Sequence, residues 1–152
     1  MQKIVPNLWF DDKAEEAVAF YTTTFKNSKI LKVTKYGQEG SKISGKKEGS
    51  VMTVNFLIET QEFVALNGGP EFKFNEAVSF IVNCTDQEEI DYFWDKFGKE
   101  GEEGVCGWIK DKFSLWWQIV PEGLDDMLLS EKAMKLFLGM KKIEIEELKR
   151  AR

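Results

Sequence analysis

Two spacings of apolar residues alternate along the chain, one near period two and one near the helical period. Lys3–Phe10 is apolar, with Pro6 near its start, and predicts a first strand. Asp11 and Asp12 are N-cap candidates for a helix over Lys13–Thr24, where Ala14, Ala17, Val18, Tyr21 and Phe25 recur at helical spacing. Glu15 and Glu16 suit the positive end of that helix. Lys29–Tyr36 predicts a second strand. Gly37–Gly49 is rich in Gly, Ser and Lys and predicts a flexible loop, placed as a lid over a pocket. It lacks the G-x-x-x-x-G-K-[ST] pattern that cradles phosphate ahead of a helix. Ser50–Ile58 and Gln61–Asn67 predict a hairpin through Glu59-Thr60, ended by Gly68-Gly69-Pro70.

The same order then returns. Ala77–Cys84 reads as a strand, and Thr85 or Asp86 caps a helix built on Ile90, Phe93, Trp94 and Phe97. A loop over Gly98–Gly104 leads to strands over Val105–Lys110 and Phe113–Val120, joined by the charged turn Lys110-Asp111-Lys112. Strand, helix, then strands occur twice, which makes an internal repeat of element order. Beyond Pro121, Leu124, Met127, Leu128 and Leu129 predict a short helix. Ser130 caps a second helix that ends at Gly139, and an amphipathic tail runs from Ile143 to Arg152. Phe72 and Phe74, in a polar setting, read as rim aromatics or a dimer contact.

The stretch Phe113–Pro121 carries the first functional signal. Leu115, Trp117 and Ile119 alternate with Trp116 and Gln118, so one face is apolar and the other combines an aromatic platform with an amide. Such a strand suits the wall of a small-molecule site. Composition narrows the chemistry further. A net charge of −5 disfavours nucleic acid and anionic membrane as partners. No apolar run approaches the ~20 residues of a membrane span, and no signal-peptide core is evident at the N-terminus, so the cytoplasm is the expected location. Cys84 and Cys106 are too few for a disulfide framework and read as reduced thiols. The chain has no histidine, which removes Ser-His and Cys-His catalysis and the commonest zinc sites. The acidic pairs Glu15-Glu16, Glu88-Glu89 and Glu102-Glu103 fit capping or solvated roles. Lys73 reads as a rim charge.

In combination, Leu8-Trp9-Phe10, Ala14-Glu15-Glu16-Ala17, Phe20-Tyr21-Thr22-Thr23-Thr24-Phe25, Val51-Met52-Thr53-Val54, Ala65-Leu66-Asn67-Gly68-Gly69-Pro70, Phe72-Lys73-Phe74-Asn75 and Trp116-Trp117-Gln118-Ile119-Val120-Pro121 resemble the PhnB-like branch of the vicinal oxygen chelate superfamily. That superfamily includes glyoxalase I, bleomycin-resistance proteins and extradiol dioxygenases. The likeness spans nearly the whole chain. It implies an α+β glyoxalase/bleomycin resistance-like fold, with two βαβββ modules forming curved mixed sheets around a cavity and helices at the C-terminus. The expected organisation is one domain over 1–152, with modules at 1–70 and 76–121 and helices over 123–151. A homodimer is the expected assembly. Proteins of this branch often carry the label 3-demethylubiquinone-9 3-methyltransferase. The glycine-rich strand–loop–helix that usually seats S-adenosylmethionine is not visible in this sequence.

The resemblance further implies metal-ligand positions at or near Pro6 or Asn7, Ala65, Ser79 and Gln118. Only Gln118 has the ligand chemistry of the superfamily, and one neutral amide does not hold a transition metal against water. The reading is therefore metal-free and without cofactor. Alternation assigns Trp116 to the face of Gln118, Phe63 and Asn67 to that of Ala65, and Ile81 and Asn83 to that of Ser79. Thr53 and Asn55 lie opposite Val54, Phe56 and Ile58. The expected ligand-binding set is Trp9, Trp108 and Trp116 as aromatic walls, with Asn7, Asn55, Asn67, Ser79 and Gln118 as orienting groups. The expected function is binding of a small organic molecule. The alternatives are an enzyme of the superfamily, either a metal-dependent lyase or oxygenase or a methyltransferase as the label states, and a structural dimer whose cavity is vestigial.

Overall fold

A computed structural model describes residues 2–152. The chain divides into two compact units, 1–73 and 74–152. Each contains one four-stranded mixed sheet with helices, and neither sheet closes into a barrel.

Unit 1 runs β1 (Asn7–Phe10), α1 (Ala14–Thr24), β2 (Lys29–Lys35), α2 (Gln38–Ser44), β3 (Val51–Ile58) and β4 (Gln61–Asn67). The sheet order is β1-β4-β3-β2, with β1 parallel to β4 and the other pairs antiparallel. Ala14 and Ala17, both fully buried, keep the contact surface of α1 flat and let it lie close on the sheet. Tyr21 stacks on Phe56, and Phe56 on Phe63, at centroid distances of 6.3 and 5.4 Å. Leu8, Phe10, Val54, Ile58 and Ala65 complete this buried layer.

Two expectations change here. Strand β1 begins at Asn7 rather than Lys3; the chain before it is irregular, and the Pro6 carbonyl accepts from Val64 N at 2.9 Å. The Gly37–Gly49 stretch is not wholly loop, because it contains α2. Gly45 ends that helix in the left-handed region at φ 76°, where glycine is favoured. Gly40 lets the helix approach Tyr36, whose ring lies 3.2 Å from where a β-carbon would sit. Pattern reading misses α2 because the helix buries no residue and so has no apolar stripe.

Unit 2 runs β5 (Phe80–Cys84), α3 (Gln87–Gly98), β6 (Glu102–Glu103), β7 (Trp108–Lys110), β8 (Trp116–Pro121), α4 (Leu124–Met127), α5 (Glu131–Leu138) and α6 (Ile145–Arg150). Its order is β5-β8-β7-β6, again with one parallel pair, β5 with β8. Asp86 caps α3 by accepting from Glu89 N at 2.9 Å, and the Glu89 carboxylate accepts in return from Thr85 N at 3.0 Å. Ile90, Phe93, Trp94 and Phe97 bury against the sheet, with Phe97 stacked on Trp117 at 4.8 Å. A second small core joins Val120 to Met140, Ile143 and Leu148, which docks the C-terminal segment.

The strand predicted over Phe113–Val120 begins only at Trp116. Asp111 explains the shortfall. Its Oδ1 accepts from Phe113 N and Leu115 N at 2.8 and 3.0 Å, which folds those residues into a turn, with Ser114 at φ 73°. Its Oδ2 accepts from Trp117 Nε1 at 2.9 Å. Similarly, the strand predicted from Val105 starts at Trp108, and that predicted from Ala77 starts at Phe80.

Candidate functional site

Residues paired across neighbouring strands lie on one face of a sheet. In unit 2 the register joins Ile81, Gln118 and Trp108 in one row, and joins Trp116, Lys110 and Glu102 in the next. These side chains occupy the face turned away from α3, while Trp117, Ile119 and Ile109 fill the buried face. Gln118 Nε2 donates to Ser79 Oγ at 2.9 Å, so Ser79, just ahead of β5, belongs to the same surface. Trp108 meets Trp116 edge to face at 6.2 Å. Four of the sequence-predicted residues, Ser79, Trp108, Trp116 and Gln118, therefore come together on one half-buried sheet face.

Two further residues of this face carry charge. Lys110 Nζ sits 5.7 Å from the Trp116 ring centroid and 3.0 Å from Glu102 Oε2. The sequence reading placed Lys110 in a charged turn; its place as the last residue of β7, paired to Trp116, sets it beside the aromatic pair. Alternation out from Trp108 was the signal that could have found it.

In unit 1 the register joins Asn7, Val64, Asn55 and Lys32, and joins Trp9, Leu66, Thr53 and Thr34. Both rows lie on the face away from α1. Asn7 is exposed and Asn55 half-buried. Trp9 is held by the segment that follows β4: Nε1 donates to Gly69 O at 2.9 Å, and Phe72 meets its ring edge to face at 4.9 Å. A β-carbon on Gly68 would sit 2.4 Å from that ring, so only glycine permits this seat.

Asn67 departs from expectation. Alternation along β4 puts Phe63, Ala65 and Asn67 on the buried side against α1, not on the face of Asn55. Asn67 Oδ1 accepts from Ala14 N at 2.8 Å, and Nδ2 donates to Glu15 Oε1 and Val51 O at 2.5 and 3.1 Å. It is the N-terminal cap of α1, supplied from β4, and it takes the role expected of Asp11 or Asp12. The alternation that groups Phe63, Ala65 and Asn67 holds, but the face they share is the buried one against α1.

The metal positions implied by the resemblance hold neutral groups: the amides of Asn7 and Gln118, the Ser79 hydroxyl, and Ala65 on the buried side. This donor set does not fit a transition metal. Among the described residues no three His, Cys, Asp or Glu side chains gather to hold an ion. The turns that lead from the first strand of each unit into its helix, Asp11-Asp12-Lys13 and Thr85-Asp86, contain no glycine that would admit a nucleoside close to the backbone. Burial raises the Cys84 thiol to about 12 and also raises that of Cys106, so neither is an activated nucleophile. A surface hollow of about 430 Å³ in unit 2 is lined by Asp126, Met127, Leu129, Ser130 and Arg152, apart from the residues above.

Comparison with known proteins fits this geometry. The family model described as 3-demethylubiquinone-9 3-methyltransferase matches residues 2–120. The chain belongs to this family. Among solved structures, the PhnB protein from Bacillus cereus is 33% identical, with a TM-score of 0.70, over 79% of this chain and 99% of that one. Protein PA1353 from Pseudomonas aeruginosa shares the fold at 16% identity and a TM-score of 0.64, over 80% of this chain and 98% of its own. The fosfomycin resistance protein FosX from Listeria monocytogenes does so at 12% identity and 0.55, over 83% and 97%. The fold is therefore that of the glyoxalase/bleomycin resistance group within the vicinal oxygen chelate superfamily. No curated protein matches the chain. Among the described residues no helix is long and apolar enough to cross a membrane.

Proposed function

We propose that this PhnB-like protein binds a small planar aromatic molecule on the unit 2 sheet face, without a metal. The observation that carries the reading is the state of the five tryptophans. The indole N–H groups of Trp9, Trp94 and Trp117 are engaged by Gly69 O, Glu103 and Asp111. Among the described residues, those of Trp108 and Trp116 make no hydrogen bond, although the two rings stand together beside Gln118 and Ser79. A planar ring gains stacking on Trp116 and polar anchoring from the Gln118 amide, whose Oε1 is unengaged among the described residues. The family's description names methyl transfer to 3-demethylubiquinone, and a hydroxylated ring of that kind lies within the same ligand class. The turns Asp11-Asp12-Lys13 and Thr85-Asp86 lack the glycines that usually seat the methyl donor S-adenosylmethionine, which favours the binding reading.

Titration with benzamide, read by tryptophan fluorescence, tests it. The expected result is a saturable change with a dissociation constant on the order of 1 mM, as suits so few ligand atoms. Trp116→Leu and Gln118→Leu lose it. A change that never saturates contradicts the reading. Asn7 and Asn55 on the corresponding face of unit 1 remain candidates for contacting ligand, and their substitution by Leu tests each in the same titration.

The reading includes self-association. Strand β2, last in its sheet, leaves Ile30, Leu31 and Val33 about half exposed at 52%, 42% and 47%, a surface that a second copy would cover. A dimer mass in sedimentation equilibrium, lost on Ile30→Lys, is expected; a monomer at high concentration rejects it.

A further inference from the structure

The unit 2 face has more to say about which aromatic molecule it takes. Its side chains form a surplus of donors: the free indole N–H groups of Trp108 and Trp116, the second amide hydrogen of Gln118 and the ammonium of Lys110. Against these donors stand two neutral acceptor sites among the described orienting groups, Gln118 Oε1 and the remaining lone pair of Ser79 Oγ. Lys110 is the one cation among the strand residues of this face. Its side chain is 31% exposed, and its Nζ stands 5.7 Å from the Trp116 ring centroid. The one anion is Glu102, across the ladder on the outermost strand, with its side chain 68% exposed. Glu103, its neighbour, points to the other side, where it accepts from Trp94 Nε1 at 2.6 Å.

A solvent-exposed ion pair of this kind contributes little, because water and salt compete for both charges. Glu102 is thus a weak, replaceable occupant of the Lys110 position. A carboxylate attached to a ring already stacked on Trp116 would be held close to Lys110 and compete for it with the exposed Glu102 side chain. A neutral ring substituent offers no such exchange and leaves the donor surplus to water.

We infer that the unit 2 face selects an aromatic molecule bearing an anionic substituent, such as an aryl carboxylate, with Lys110 as its counter-charge and Glu102 as the internal competitor. This rests on the aromatic-binding reading above. The comparison that tests it is benzoate against benzamide, two ligands of nearly equal shape that differ in charge. Both are titrated into the full chain at low salt by isothermal calorimetry. Benzoate is expected to bind roughly two- to fivefold tighter, the range set by a solvent-exposed ion pair. Glu102→Gln widens that ratio, and Lys110→Met brings it to about one. Equal affinities in the unaltered protein, or preference for benzamide, overturn the inference while leaving aromatic binding intact. If neither ligand binds, the aromatic reading fails and this inference fails with it. Should Lys110→Met not fold, the Glu102→Gln ratio decides alone, because an unchanged ratio there contradicts the exchange.

Discussion

The two units share one plan, a parallel strand pair joined through a helix and extended by antiparallel strands, yet they spend their amides differently. In unit 1 the amide at the end of the last strand, Asn67, turns inward and is fully used as the cap of α1. In unit 2 the helix carries its own cap, Asp86, with Glu89 closing the box. The amide of its last strand, Gln118, is thereby released to the outer face beside Trp108 and Trp116. The charges diverge in parallel. Unit 1 holds ten Lys or Arg against nine Asp or Glu, and unit 2 eleven against seventeen, yet the aromatic face of unit 2 keeps one cation, Lys110. Where a helix is capped locally, strand residues are free for other work; where it is capped from the sheet, a strand amide is committed to stability.

Substituting the two amides breaks or upholds this contrast. Asn67→Ala removes the cap, orphans the buried Ala14 N and takes a partner from the half-buried Val51 O, at a cost of about 3 kcal/mol in urea unfolding. Gln118→Ala, on a half-buried surface, should cost less than about 1 kcal/mol. Equal costs would mean that Gln118 is as structural as Asn67. Tyr36→Phe comes next. Its hydroxyl donates to the carbonyl of Asn67, and losing that bond should lower stability by about 1 kcal/mol without touching unit 2.

The thiols sharpen the contrast from the other side, since both belong to unit 2. Burial, with smaller contributions from Glu89, Asp86 and Glu122, raises Cys84 from 9.0 to about 12. Between those values the unfolded chain ionises its thiol while the folded protein keeps the proton. Stability that is complete below pH 9 is therefore lost progressively toward pH 12. Cys84→Ala should make the decline between pH 9 and 10.5 shallower; an unchanged slope would show that the thiol is not shielded. The smallest effect concerns the ion pair between Lys142 and Asp91, at 2.8 Å. Hydrogen bonds from Lys142 and then Gln87 lower the Asp91 carboxyl, so its contribution is present above the ordinary carboxylate range and fades as pH falls. Lys142→Met should cost under about 1 kcal/mol at neutral pH and flatten the acid limb of the stability curve.

Much of this was legible in the sequence, for reasons that follow from particular residues. Helices α1 and α3 announce themselves by apolar spacing, and Trp116 and Gln118 by strict alternation with Leu115, Trp117 and Ile119. Those patterns survive because one face of each element is buried by its own unit. Three features were not legible. Helix α2 buries nothing, so it leaves no periodic trace. Asn67 depends on which face of β4 is buried, and Val64 and Leu66 on the other face are as apolar as the buried residues. Asp111 lies in a turn the sequence does predict, but its carboxylate extends that turn over Phe113 to Leu115, which read as strand, and reaches on to Trp117. Lys110 falls between these cases, since alternation from Trp108 places it correctly once the turn at Asp111 is known.

The account depends most on Trp108 and Trp116 being the tryptophans that meet ligand. The direct measurement is a ¹⁵N-edited NMR titration with benzoate that follows the five indole N–H resonances, assigned by single Trp→Phe variants. The account predicts that the Trp108 and Trp116 resonances move and saturate together. Those of Trp94 and Trp117, already bonded to Glu103 and Asp111, should stay in place. Movement confined to Trp9, or no movement in any of the five, would contradict it.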